Sequence, residues 1–239
     1  MSKQFLDLLN YLAIIFPAFL FVFTVRGFFK ALAAKIMGDD TVQQEGFLSL
    51  NPLVHIDFFG LITTLFIFIL LSIFLLDGAF SRSMLIIFLV LLGVRWTIPV
   101  DINESNFKNY TLGVILTTLS GSIGSFFLAL VFLYLFKYFP FKFFPNYVFL
   151  TFSEIFGATI ELAVFFGVLD LIPIPPFSGG RLLEFILPKS WHNIITWLHE
   201  YSVYILLALF ILPGISEIFF SLIYLLSFFV KRFLLFLVF

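Results

Sequence analysis

Few side chains in this sequence can hold a metal, move a proton or attack a carbonyl. There is no Cys, and there are three His, at 55, 192 and 199. Zero Cys removes disulfides, thiolate metal sites and Cys nucleophiles. His192 and His199 flank Trp197 and stand two helical turns apart, too far to share one metal without a third ligand; Glu200 adjoins them but is not expected to complete a site. No spacing suggests a Ser, His and carboxylate triad. The remaining candidates are charges set in apolar surroundings. Arg26 and Lys30, four residues apart, share one helix face. Glu154, Glu161 and Asp170 lie inside the apolar stretch from Tyr147 to Ile172. Bare lipid does not tolerate such groups, so each needs a partner.

The elements that must position these charges are membrane helices. Of 239 residues, 62% are hydrophobic, 39 are Phe and 11% are charged, against about 25% charged in an ordinary soluble domain. A formal net charge of −1 with no long run of like charge excludes nucleic acid as an expected partner. Leu8 to Val25, Phe58 to Leu76, Tyr110 to Phe136, Tyr147 to Ile172 and the stretch from Tyr201 to Val230 are long enough to span. They are continuously apolar instead of alternating, so they predict helices and not barrel strands. Pro213-Gly214 makes the last stretch one kinked span or a hairpin. Met84 to Gly93 is too short to cross and predicts a re-entrant or interfacial element. The expectation is an all-α polytopic bundle of about six spans, read as uncleaved at its N-terminus. Lys and Arg fall four against four in alternate loops, which leaves orientation open. Ser120 to Ser125 is rich in small residues and predicts a helix-packing face.

Two loops are more ordered in sequence than their neighbours. Gly38-Asp39-Asp40-Thr41 leads into Gly46 to Asp57, which contains Leu50-Asn51-Pro52-Leu53-Val54-His55-Ile56-Asp57. Asp170 to Arg181 holds three Pro and two Gly within a dozen residues. Pro presets φ and Gly permits positive φ, so such segments can leave a helix, turn and re-enter at membrane depth.

At these residues the chain resembles the site-2 protease family, polytopic zinc metalloproteases that cut within the membrane. That family shows HExxH, then GD-T and G-L-LNPxxHIDxxG, a W-xx-PV-x-N segment, an AGPxSN helix, and NLLPIPPLDGG. Here the counterparts, in the same order, are Gly38 to Thr41, Gly46 to Gly60, Trp96 to Asn103, Ser120 to Ser125, and Asp170 to Arg181. The resemblance covers roughly residues 20 to 185. It implies a protease-like core at 1–185, followed at 186–239 by an interfacial segment and a last helix or hairpin.

The positions that the resemblance marks as catalytic are all altered. Arg26 and Lys30 stand where the two zinc-binding His would be, Gly27 where the Glu base would be, and Ser178 where the third ligand, Asp, would be. Asp170 replaces the Asn that opens NLLPIPP. His55 is expected to be structural. The expectation is therefore a chain without zinc and without catalysis, acting by binding a transmembrane partner or as a subunit of a membrane assembly. Its membrane is expected to be a bacterial plasma membrane. An active intramembrane metalloendopeptidase with unusual ligands is the alternative; a transporter is a third reading, although no inverted repeat is visible.

Two structural expectations follow. The resemblance brings Arg26 and Lys30 opposite carboxylates on the Tyr147 to Ile172 helix, first Asp170 and then Glu161; the alternative is that the two cations end the first span and snorkel to headgroups. The β-branched run from Arg95 to Asn103 forms a short extended element at the membrane edge, where Thr97, Pro99 and Val100 would dock a partner by strand addition.

Overall fold

A computed structural model describes residues 3–60, 62–63, 98–140, 143–175 and 177–239. Most of the expected span from Phe58 to Leu76, the element from Met84 to Gly93, and Arg95, Trp96 and Thr97 lie outside the described residues.

The chain is all-α. Helix α1 (Lys3–Met37) is followed by single turns α2 (Thr41–Gln44) and α3 (Pro52–His55). Then come α4 (Tyr110–Tyr138), α5 (Asn146–Asp170), α6 (Ser178–Ile186), α7 (His192–Glu200), α8 (Ser202–Ile211) and α9 (Ile215–Val238). Local chemistry sets several of these boundaries. Asn109 caps α4 by accepting from Leu112 N at 3.1 Å, and Asn51 caps α3 by accepting from Leu53 N at 3.1 Å with Pro52 at the first helical position; both are ordinary start signals. At the end of α1, Gly38 takes φ +113°. A side chain there would also come within 2.9 Å of the Asn106 carbonyl, so Gly is required on both counts.

Four helices among the described residues are long and apolar enough to cross a bilayer: Leu12–Met37 within α1, then α4, α5 and α9. Counting the bent pair Asn193–Glu200 and Tyr204–Phe210 as one broken span gives five. The count of about six read from sequence includes the span from Phe58 to Leu76, most of which lies outside the described residues. The stretch from Tyr201 to Val230 is two helices, α8 and α9, separated at Pro213 and Gly214, where Gly214 takes φ +81°. Phe210 packs across the break on Phe219 and Phe220, each at 5.6 Å between ring centres.

Helices α1, α4 and α5 form the centre. Phe21 meets Phe132 and Phe29 meets Phe127, so α1 and α4 run antiparallel. Phe132 also meets Phe156, while the Phe126 ring lies over Gly167, so α5 runs antiparallel to α4 as well. Close approach depends on small residues of α4. Gly121, Ser122, Gly124 and Ser125 are buried, and Gly124 faces the Phe29 ring. This matches the packing face expected of that stretch. Ser125 and Ser120 hydroxyls donate back to the Gly121 and Thr117 carbonyls, at 2.9 and 2.8 Å. The outward side chains of α9, including Phe229, Phe233 and Phe236, are exposed, as lipid contact requires.

A second, smaller core lies at the far end of α1. Ala31, Ala34, Met37, Val42, Phe47, Phe107 and Val114 pack together there, with Val100 and Ile102 against them. This core anchors the Gly38 to Asp57 loop, whereas Ile172 and Phe177 of the proline-rich loop pack in the main core.

Candidate functional site

The charges of α1 converge on the junction between α5 and α6. Arg26 Nη2 donates to Asp170 Oδ2 at 2.6 Å, with the two side chains 12% and 9% exposed. Rings of Phe23 and Phe166 lie 5.6 and 5.5 Å from the guanidinium carbon, so the cation is flanked by aromatic faces as well as by a carboxylate. One turn along, Lys30 Nζ donates to Ser178 Oγ at 3.1 Å. Arg26, Lys30, Asp170 and Ser178 therefore share one site.

The backbone of α4 closes the site from the side. A methyl group placed on Gly121 would lie 2.7 Å from Lys30 Cε and 3.1 Å from Asp170 Oδ2. Gly27, on the same helix as the two cations, faces the buried ring of His55; a Cβ there would overlap that ring. His55 is 1% exposed and its Nε2 lies 2.8 Å from the Ser49 carbonyl. Burial pulls its pKa below the ordinary value, against the upward pull of the Ser49 contact. The volume beside Gly27 is thus taken up by a neutral imidazole held in a loop.

Glu161, the second partner expected for the cations, lies elsewhere. It pairs with Lys231 of α9. Nine residues separate Glu161 from Asp170, about 13 Å along the helix, so one helix cannot bring both carboxylates to the same two cations. Glu161 and Glu154 line a separate cavity of about 900 Å³ between α1, α5 and α9.

The extended element is only partly as expected. Residues 98–103 are non-helical, and Ile98 N donates to the His55 carbonyl at 3.0 Å, but no β-strand occurs among the described residues. Val100, expected to face a partner, packs with Ile102 against the second core, whereas Ile98 and Pro99 are exposed. Contact with that core leaves Val100 half-buried and less available to a partner than Ile98 and Pro99. Thr97 lies outside the described residues.

Asp39 is a node that motif reading alone left without a role. It is fully buried and accepts from Thr41 N at 3.1 Å, Thr41 Oγ1 at 2.7 Å, Asn103 N at 2.8 Å and Asn106 Nδ2 at 3.1 Å. Burial raises its pKa, but these donors outweigh that effect and hold it below the ordinary value. An anionic Asp39 thereby ties the 98–106 segment to the end of α1. Glu104 of that segment pairs with Arg181 of α6, three residues after Ser178.

Donor chemistry decides what the site can hold. Zinc sites draw on neutral His, thiolate or carboxylate. Here the converging groups are a guanidinium, an ammonium, a hydroxyl and one carboxylate already bound to the guanidinium. Among the described residues, no three His, Asp or Glu side chains come together as a metal would need. His199, which sequence placed beside Glu200, pairs with Glu184 of α6.

Over 210 residues, 87% of this chain and 83% of the relative, the sequence is 27% identical to a protein of Bacillus subtilis (strain 168) named "Putative zinc metalloprotease YwhC". No family model matches the chain, and no solved structure matches it. It is a multi-pass membrane protein similar, over most of its length, to a protein bearing a zinc metalloprotease name, in keeping with a site-2-protease-like family.

Proposed function

We propose that this protein is a catalytically inactive relative of site-2 proteases, which works by holding a membrane-spanning partner or as a subunit of a membrane assembly. The observation that carries this reading is the Arg26–Asp170 ion pair, with Lys30 and Ser178 beside it, at the place where the resemblance puts a metal. The residues do not fit zinc. Arg26 stays charged at any accessible pH, and a Lys must give up a proton before it can bind a metal. Ser178 is a neutral hydroxyl, and the lone carboxylate is engaged. Gly27 offers no base to activate water, and His55 fills the space beside it. Residence in a bacterial plasma membrane belongs to the same reading and draws on the Bacillus relative.

A second reading, an active intramembrane metalloendopeptidase with unusual ligands, is favoured by the name of that relative alone. Reconstitution in proteoliposomes with a transmembrane reporter separates the two. The reporter stays intact on the first reading. Its cleavage, abolished by a chelator and restored by zinc, would establish the second.

A further inference from the structure

The formal charges of the site do not balance, and the surplus is positive. Among the described residues, Arg26 and Lys30 face one carboxylate, Asp170, which lies against Arg26. The Arg26 Nη1 group is buried and has no acceptor among the described residues. Lys30 Nζ, a triple donor, reaches Ser178 Oγ. Ser178 is also the first residue of α6, and no side chain caps that helix, so the positive end of a nine-residue helix points into the same place. Arg26 and Lys30 thus bring surplus positive charge beside the uncapped start of α6, where an anion would balance it.

The depth of the site says what kind of anion this is. Arg26 is the fifteenth residue of the 26-residue apolar span of α1, roughly 16 Å of helix from Met37. A free hydrated ion must shed its water to arrive there, whereas a carboxylate on a membrane helix is delivered at that depth. Carboxylate also matches the planar fork of Arg. We infer that the Arg26–Lys30–Ser178 site binds the side-chain carboxylate of an Asp or Glu carried near the middle of a partner's transmembrane helix. The inference rests on the binding reading above and names the chemistry of the partner.

The test uses the full-length protein in nanodiscs and a synthetic leucine-rich spanning peptide of about 20 residues with one central Asp, compared with its Asn isostere. The Asp peptide is expected to bind at least about tenfold more tightly. Lys30→Met, which leaves the Arg26–Asp170 contact in place, should erase that preference. Asp170→Asn, which removes the internal competitor, should strengthen it. Equal affinity for the Asp and Asn peptides would overturn the inference, as would displacement of the Asp peptide by millimolar acetate or chloride, which marks a small-anion site. The binding reading fails separately: zinc-dependent cleavage of a reporter defeats that reading, while a protein without zinc that shows no Asp preference defeats only this inference.

Discussion

Arg26 of α1 and Asp170 at the end of α5, 144 positions apart in the chain, meet through a hydrogen bond of 2.6 Å inside the bilayer-spanning core. The contact joins the first helix to the proline-rich turn that begins at Leu171, so the pair fixes the geometry of the whole site. Removing one member strands the other, which in a low-dielectric interior costs far more than the pair contributes.

Arg26→Met is accordingly expected to lower stability by about 3–5 kcal/mol, the range for a broken buried ion pair. Arg26→Met combined with Asp170→Leu should cost clearly less than the sum of the single changes. Reversible unfolding in mixed micelles measures the cycle, and additive effects would show that the two residues do not interact.

Gly27 and Gly121 should respond differently to Ala. At Gly121 the new methyl meets Lys30 Cε and, less closely, Asp170 Oδ2; a loss of about 1 kcal/mol is expected, since the Lys30 side chain can move aside. At Gly27 it meets the His55 ring, which is buried and tethered to Ser49; overpacking of that kind costs about 1–3 kcal/mol. Thermal unfolding of the two variants should place Gly27→Ala well below Gly121→Ala. For the same reason Gly27→Glu alone should unfold the loop without producing hydrolysis.

Two groups outside the spans set the acid limb of stability. His55 has a depressed folded pKa, so its contribution is full above the unfolded value near 6.5 and is lost as pH falls through the folded value. Asp39 behaves likewise from its unfolded value near 3.8 downward, because its folded pKa is also depressed. Wild-type stability should therefore decline below about pH 6.5, and His55→Gln should flatten that first decline. NMR titration of the His55 ring should show it neutral at pH 6.5.

Crosslinker positions along residues 98–102 should report the inward turn of Val100. Labels at Ile98 and Pro99 are expected to capture a transmembrane partner more strongly than a label at Val100, which faces the second core. Stronger capture from Val100 would mean that this segment lifts off when a partner binds.

Much of this arrangement was legible before any coordinates, and the parts that were not share a cause. The resemblance put Arg26, Lys30 and Asp170 around one site, and the cost of unpaired charge at membrane depth favoured pairing over a helix end at which the cations snorkel. Which carboxylate served which cation was less visible. Lys231 lies just past the apolar stretch that ends at Val230, and α9 continues to Val238 and carries it onto Glu161. Asp39 stood out as part of a motif, yet its partners Asn103 and Asn106 lie more than 60 residues away, and no local pattern encodes that distance. The β-branched run ending at Asn103 favoured a strand by propensity. The burial of Val100 and Ile102 in the second core decided its facing instead, which is how tertiary packing commonly overrides β propensity.

The central claim is that two fixed cations and their carboxylate have taken the place of a metal, and zinc content tests it most directly. Elemental analysis of the detergent-purified protein, prepared with zinc in the medium and without chelator, is expected to give far less than one zinc per chain. Zinc near one per chain, lost on chelation and regained on addition, would contradict the account.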